Sequence, residues 1–363
     1  IFLFGPRQTG KSTLLRSAFP EARFVDLLHA DTFRALSARP ELLRQRLTPE
    51  EHIVIIDEVQ KIPALLDEVH ALIESRRALR FILTGSSARK LRRGHANLLA
   101  GRAWTFHLHP LTTAELPADS LAQQLTWGRL PAVFDSPLPH EDLRAYVGTY
   151  LREEIQAEGA VRALDAFSRF LDVAGLCQGQ QLNYSKLGSD CGVSAKTIRE
   201  YFQILEDTLL GYRIHPLQQL GKRKAVQAPK FYLFDLGVAR ALRRDLCPSL
   251  SPEAQGLALE HLVFVELRAY LDYRRLDVPL TFYRTRTGQE VDFIVGNKLA
   301  IEVKRGSHIT RRDSRGLRAL RDDHPTARAI IVCQEAEARR DDDGIDIWPM
   351  AHFCQQLWAD ALL

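Results

Sequence analysis

The sequence opens with an apolar run, Ile1-Phe2-Leu3-Phe4, that passes without a break into Gly5-Pro6-Arg7-Gln8-Thr9-Gly10-Lys11-Ser12, and Thr13-Leu14-Leu15 continue as the start of a helix. A strand, a glycine-bounded loop and a helix in immediate succession are what a phosphate-cradling P-loop requires. Gly5 and Gly10 let the backbone turn tightly enough for loop N–H groups to face phosphate oxygens, and the N-terminus of the following helix adds its partial positive charge. The nucleotide-binding set is therefore Gly5, Pro6, Arg7, Gln8, Thr9, Gly10, Lys11, Ser12 and Thr13. Lys11 is aimed at the terminal phosphates, and the Ser12 hydroxyl at a magnesium ion.

Four more short apolar runs follow, over 23–27, 53–57, 80–84 and 104–108, most of them separated by helical segments. That alternation predicts a parallel sheet covered on both faces. Ile53-Val54-Ile55-Ile56 ends in Asp57-Glu58, which puts two carboxylates at the C-terminal end of a buried strand, where open α/β sheets bind their ligands. Asp57 is expected to hold magnesium, and Glu58 to orient and deprotonate the attacking water. Phe81-Ile82-Leu83 leads into Thr84-Gly85-Ser86, so Thr84 or Ser86 supplies a hydroxyl that senses the terminal phosphate. Arg102 and Arg152 are arginine-finger candidates, with a surface ion pair as the alternative for each.

These motifs occupy less than a third of a 363-residue chain, and that length predicts two or three domains. A hydrophobic content of 45% and a charged content of 26%, with no long uncharged apolar run, predict a soluble cytoplasmic protein and exclude a membrane span. The five cysteines are scattered, odd in number and never spaced as CxxC, which argues against a zinc finger and a disulfide framework and predicts reduced, mostly buried thiols. The chain begins inside its first strand and its only methionine is Met350, so a preceding segment is expected to be missing.

The middle of the chain reads as helices over 141–178, then as a winged helix. A short helix over 182–187, a turn at Cys191-Gly192-Val193 and an N-cap at Ser194 introduce a second helix with Ile198, Phe202, Leu205 and Leu209 on one face. Lys196 and Arg199 fall on the opposite face, where DNA readers carry their contacts. Two strands, 212–215 and 230–234, flank a loop with Lys222, Arg223 and Lys224, placed as a wing against a phosphate backbone. Double-stranded DNA and a protein partner both remain open as its ligand.

The last part starts a helix at Ser251-Pro252-Glu253 and continues with strands over 280–284, 290–295 and 299–304, a helix over 310–322 and a strand over 329–333. This αβββαβ order is similar to the restriction-endonuclease-like fold. In Ile301-Glu302-Val303-Lys304 the apolar side chains share one side of the strand and the charged ones the other. If Gly296-Asn297-Lys298 is a three-residue hairpin loop, Asp292 lies across from Glu302. Asp292 and Glu302 then hold magnesium, Glu260 on the preceding helix is a further candidate ligand, and Lys304 stabilises the reacting charge. Asp292, Glu302 and Lys304 match the PD-(D/E)xK nuclease pattern in order, with Val291 where that pattern has proline.

Gly-Pro-Arg-Gln-Thr-Gly-Lys-Ser-Thr, Ile-Asp-Glu-Val-Gln, Leu-Thr-Gly-Ser-Ser, Ala-Gly-Arg with the following Pro110-Leu111-Thr112, and Tyr146-Val147-Gly148-Thr149-Tyr150-Leu151 together resemble the prokaryotic predicted ATPases of the AAA superfamily. Those proteins carry a C-terminal domain of unknown function, and the resemblance spans nearly the whole chain. It implies ATP and Mg2+ as ligands of the first part. The expected organisation is a P-loop NTPase domain with a parallel sheet (1–112), a helical connector (113–178), a winged helix (179–247) and a restriction-endonuclease-like α/β domain (248–363). Two functions follow: an ATPase coupled to DNA binding and DNA cleavage, or a nucleotide-dependent adaptor whose later domains bind protein partners, as monomer or oligomer.

Overall fold

A computed structural model of the chain describes residues 1–86, 103–151, 164–217, 228–285, 287–324 and 328–363. Arg102, Arg152, Lys222, Arg223 and Lys224 lie outside the described residues. The chain divides into two compact units, the first built mainly from Ile1–Pro110 and the second from Leu111–Arg152, Val161–Gln203 and Gly211–Leu363.

The first unit is a parallel sheet of β1 (Phe2–Phe4), β2 (Arg23–Asp26), β3 (Ile53–Asp57), β4 (Arg80–Gly85) and β5 (Thr105–His107), in the order β2-β3-β4-β1-β5. Helix α1 (Lys11–Ala18) follows the loop after β1, and α2 (Ala30–Ala38) and α3 (Leu65–Ser75) supply crossovers. Strand parity decides which helix covers which face. Phe2, Phe4, Val54, Ile56, Phe81 and Leu83 pack with Leu36 of α2 and Leu65, Val69 and Leu72 of α3. Leu3, Ile55 and Ile82, the residues between them, pack with Leu15 of α1. Both faces are covered, which is why the strands read as unbroken apolar runs.

The second unit carries helices and an eight-stranded mixed sheet, ordered β12-β13-β11-β10-β9-β8-β6-β7. Its strands are β6 (Gly211–Pro216), β7 (Lys230–Leu233), β8 (Leu280–Arg284), β9 (Glu290–Val295), β10 (Leu299–Val303), β11 (Arg328–Cys333), β12 (Arg339–Arg340) and β13 (Asp346–Pro349). Helices α4 (Tyr184–Cys191) and α5 (Ala195–Asp207) precede the sheet, α6 (Pro252–Tyr273) and α7 (Arg315–Asp323) are inserted in it, and α8 (Met350–Trp358) ends it. Helix α6 contributes Leu259, Leu262, Val263 and Leu267, and α8 Phe353 and Leu357, to a cluster that includes Phe293, Leu299, Ile301, Ile330 and Val332. Leu317 and Leu320 of α7 pack in a second cluster with Ile294, Ala300, Ile331 and Ile347.

Three local readings change. The first helix of the middle segment begins at Tyr184 rather than 182, because Asn183 is its N-cap and accepts from the Lys186 N–H at 3.1 Å. Helix α7 begins at Arg315 rather than 310, because the Asp313 carboxylate accepts from both the N–H (2.9 Å) and the hydroxyl (2.7 Å) of Thr310 and holds 310–313 as a turn. The two strands flanking the expected wing form the antiparallel pair β6–β7, and β6 also pairs in parallel with β8 through His215↔Thr281 and Pro216↔Phe282. The hairpin thus extends the C-terminal sheet instead of standing apart from it.

Candidate functional site

The strand order of the first unit places β4 between β1, which enters the P-loop, and β3, which ends in the acidic pair. The last residues of β4 consequently lie beside both. Thr84, fully buried, donates its hydroxyl to one oxygen of Asp57, while Ser12 donates to the other, Oδ2, at 2.6 Å. A single carboxylate therefore ties the P-loop helix to β4. Glu58 turns the chain at φ 61° and its N–H donates to Thr84 Oγ1 at 3.2 Å. Non-glycine residues hold such a conformation only where surroundings enforce it. The Gln60 amide donates to the Glu58 carboxylate and, at 3.5 Å, to Ser86 Oγ, so the two sensor candidates have different neighbours: Thr84 meets Asp57, and Ser86 meets Gln60.

In the loop, Gly10 takes φ 88°, a left-handed conformation that a side chain would strain, and a Cβ on Gly5 would stand 2.4 Å from the Leu108 carbonyl oxygen. Gln8 is also left-handed, at φ 64°. Lys11 is 5% exposed and its ammonium donates to the carbonyls of Gly5 (2.7 Å) and Pro6 (3.0 Å), while Thr9 Oγ1 donates to Pro6 O at 2.9 Å. Arg7 is half-buried, and Gln8 and Thr13 are exposed. Ser12 and Asp57 offer a hydroxyl and a carboxylate of the kind that magnesium takes beside phosphate oxygens and water. Their hydrogen bond brings both donor groups to one point, and the donor set fits the ion.

A polar cleft of about 710 Å³ in the second unit is lined by Lys230, Glu260, Glu290, Asp292, Glu302 and Lys304, together with Arg284, Arg312 and Arg315. The β9–β10 register runs Leu299↔Val295, Ala300↔Ile294, Ile301↔Phe293, and its next step sets Glu302 beside Asp292. The oxygens are largely taken. Asp292 Oδ2 accepts from the Val303 N–H at 2.9 Å and Oδ1 lies 3.3 Å from Lys230 Nζ. Glu260 Oε1 meets Lys230 at 3.2 Å and accepts from the Tyr232 hydroxyl at 2.5 Å. Lys304 pairs with Glu302 Oε1, and the buried Glu302 Oε2 has no partner among the described residues. Asp292, Glu302 and Glu260 thus meet in one cleft, but with a lysine ammonium between Glu260 and Asp292, and the set does not fit a shared metal ion.

The crowding moves the acids. Burial and the Asp292 charge push Glu260 up to about 7, against the pull of Lys230. Burial and Asp292 likewise push Glu302 well above the usual carboxylate range, against Lys304. For Lys230 burial works downward, but Tyr232, Asp292, Glu260 and Glu290 outweigh it and hold the ammonium charged. Near the cleft, His261 Nε2–H donates to the Leu233 carbonyl at 2.6 Å, and burial lowers this histidine to about 4.

Helices α4 and α5 meet at Gly192, which takes φ 68°. Ser194 Oγ accepts from the Thr197 N–H at 3.1 Å as the cap of α5. Ile198 and Phe202 are buried, the latter edge-on to Phe170 with ring centroids 4.9 Å apart. Lys196 and Arg199 are exposed, and the Arg199 guanidinium lies 4.9 Å from the Tyr184 ring centroid.

Sequence reasoning assigns no role to Gln60, Lys230 or Tyr232. Gln60 follows Glu58 by two residues, a spacing that carries no signal until the short helix Val59–Lys61 folds its amide back onto the carboxylate. Lys230 does carry one: it starts the otherwise apolar Phe231-Tyr232-Leu233-Phe234 and has the same strand parity as Tyr232.

Residues 1–117 match an AAA domain, 118–246 a domain of unknown function (DUF8612) and 255–353 a second domain of unknown function (DUF4143). An uncharacterized protein of Mycobacterium tuberculosis is 29% identical over 351 residues, covering 92% of this chain and 76% of that protein. Uncharacterized proteins of Haemophilus influenzae (24% identical, 85% of this chain and 79% of the relative) and Methanocaldococcus jannaschii (23%, 92% and 80%) are also similar. No helix among the described residues is long and apolar enough to cross a membrane. With its P-loop, its acidic strand end and its parallel sheet in the matched region, the chain belongs with the prokaryotic proteins in which an N-terminal AAA domain, an ATP-binding ATPase-type module, precedes a C-terminal domain of unknown function.

Proposed function

We propose that the first unit hydrolyses ATP with magnesium, that Glu58 is the base and that Lys11 is the phosphate-binding cation. The observation that carries this reading is the convergence of Ser12 and Thr84 on the Asp57 carboxylate, with Glu58 the next residue. Phosphate oxygens offer Lys11 a charge-assisted partner in place of the neutral carbonyls of Gly5 and Pro6. Ser12 and Asp57 would hold magnesium, which would supply neutralisation of the phosphate charge when bound. Glu58 orients the attacking water and takes its proton, and Gln60 fixes the carboxylate that does so. Arg102 and Arg152 remain the proposed sources of a further cation on the terminal phosphate.

The test is a pair of substitutions read by fluorescent-ATP binding and phosphate release. Lys11→Ala is expected to lose nucleotide binding. Glu58→Gln is expected to bind ATP as the parent does and to hydrolyse it roughly 100-fold or more slowly, the scale of a lost general base. Hydrolysis by Glu58→Gln at the parental rate would place the base elsewhere.

For the second unit we propose that ATP turnover is coupled to double-stranded DNA binding through α4 and α5, whose exposed Lys196 and Arg199 stand opposite the buried Ile198 and Phe202. The lysine within the acidic cleft favours binding without cleavage over the nuclease reading of Asp292, Glu302 and Lys304.

A further inference from the structure

Lys230 is the first residue of β7, and its backbone is held on both sides, by Ile214 across the hairpin and by an isolated bridge to Gln181. Its side chain is 3% exposed and passes the Phe282 ring, with Nζ 5.6 Å from the centroid. The ammonium ends among three carboxylates, 2.7 Å from Glu290, 3.2 Å from Glu260 and 3.3 Å from Asp292. Tyr232, on the same side of the strand, donates to Glu260 at 2.5 Å and fixes that carboxylate in place. The remaining oxygens of Asp292 and Glu290 are engaged by the Val303 N–H at 2.9 Å and by Arg284 at 3.3 Å.

A magnesium-sized ion needs several oxygens at about 2.0–2.1 Å around a shared centre, and it surrenders its waters reluctantly. Here the centre shared by Glu260, Glu290 and Asp292 is filled by Nζ at hydrogen-bond distances. Entry of a divalent ion would require expelling a buried ammonium from the carboxylates that neutralise it, or placing two cations side by side in a low-dielectric site. Either leaves a largely buried charge uncompensated, which is strongly unfavourable. Among the described carboxylates of the cleft, Glu302 Oε2 is the one fully buried oxygen without a partner, and it belongs to the carboxylate that Lys304 already pairs.

We infer that Lys230 is a built-in cation that replaces a divalent metal in the acidic cleft of the second unit, so that this cleft is charge-balanced by the chain itself and its carboxylates do not recruit Mg2+ or Mn2+. The consequence is a cleft with the acid-and-lysine composition of a phosphodiester-cleaving centre that works without a metal, as a binding surface. This inference is independent of ATP hydrolysis, which uses Lys11, Ser12, Asp57 and Glu58.

The experiment counts Mn2+ bound to the full chain without nucleotide, by the electron-spin-resonance signal of the free ion, for the parent, Asp292→Asn, Glu302→Gln, Lys230→Met and Lys230→Met/Asp292→Asn. The parent, Asp292→Asn and Glu302→Gln are expected to bind the same amount, since any ion at the first unit is common to all. Lys230→Met, which roughly keeps the length of the side chain and removes its charge, is expected to gain one Mn2+ per chain, and the added Asp292→Asn to remove it. A Mn2+ ion in the parent that disappears in Asp292→Asn or Glu302→Gln would overturn the inference. So would a folded Lys230→Met that gains no ion, because the ammonium would then not be what excludes it. Should Lys230→Met fail to fold by circular dichroism, the parent against Asp292→Asn and Glu302→Gln still decides the question.

Discussion

At the acidic cleft Glu260 and His261 are neighbours on α6 and titrate in opposite senses. Glu260 is raised from 4.5 to about 7 by burial and by Asp292. Its contribution to the fold is fully present below pH 4.5 and is lost as pH rises through about 7, because the unfolded chain gives up that proton first. His261 is lowered from 6.5 to about 4 by burial, so its neutral ring favours the fold above pH 6.5 and that contribution is lost as pH falls toward 4. Glu260→Gln should therefore gain stability relative to the parent between pH 4.5 and 7.5, by up to about 3 kcal/mol. His261→Gln should shift in the opposite direction. Urea unfolding of both variants at the two ends of this range checks the signs, and a pH-independent difference for Glu260→Gln would show that its carboxyl is not perturbed. Neither shift is legible in the sequence: Glu260 reads there as a further candidate metal ligand on a helix, and the environment that moves its titration exists only once β7 brings Lys230 and Tyr232 beside it. The placement of Asp57 and Glu58 at a strand end is legible because the strand and its end are written in six consecutive residues.

Elements formed by local pattern are the ones sequence reasoning reads well, and those defined by distant pairing are not. The runs at 53–57, 280–284 and 290–295 are β3, β8 and β9. By contrast β12 is two arginines, and β13 is Asp346-Ile347-Trp348-Pro349, too short and too mixed to show strand periodicity. They exist because β13 is parallel to β11 and gives β12 an edge to join. The same holds for the polar knot that fastens several helices of the second unit. Arg129, fully buried, pairs with Glu266 of α6 and donates to Gln124 Oε1 at 2.6 Å and to Thr113 Oγ1 at 2.6 Å. Glu266 also accepts from the Trp358 indole N–H of α8 at 2.5 Å. Burial works to raise Glu266, but Arg129, Thr113 and Trp358 outweigh it and hold it below its ordinary range. Arg129→Met or Glu266→Leu alone is expected to cost roughly 3–5 kcal/mol, since each leaves the other charge buried and unpaired. The double substitution should cost clearly less than the sum of the two. Urea denaturation of the three variants measures this, and strict additivity would mean that the pair is not the energetic unit its geometry suggests.

At the scale of the whole molecule, a net charge of +4 says little about partners, and the placement of basic residues says more. In α5 the apolar residues Ile198 and Phe202 face inward, so Lys196 and Arg199 are left in solvent at the start of the helix, where a DNA-reading helix meets its target. Arg199 rests near the Tyr184 ring, a cation–π contact that holds the guanidinium at the surface of the helix pair. If this helix pair engages double-stranded DNA, replacing Lys196 and Arg199 by alanine weakens binding, and the slope of log affinity against log salt falls by roughly one unit for each phosphate no longer neutralised. Alanine at Lys222, Arg223 and Lys224 should lower the slope further if that loop also meets the backbone. ATP hydrolysis measured without DNA should stay at the parental rate in both variants, because neither set includes a residue of the P-loop or of the Asp57-Glu58 pair. Fluorescence anisotropy with a labelled duplex at several salt concentrations, beside phosphate release on the same preparations, separates the outcomes. An unchanged salt slope with unchanged hydrolysis would remove DNA from the surface of α5 and assign that surface to a protein partner. A lowered slope together with DNA-stimulated hydrolysis in the parent alone would tie the two units into one nucleotide-driven cycle.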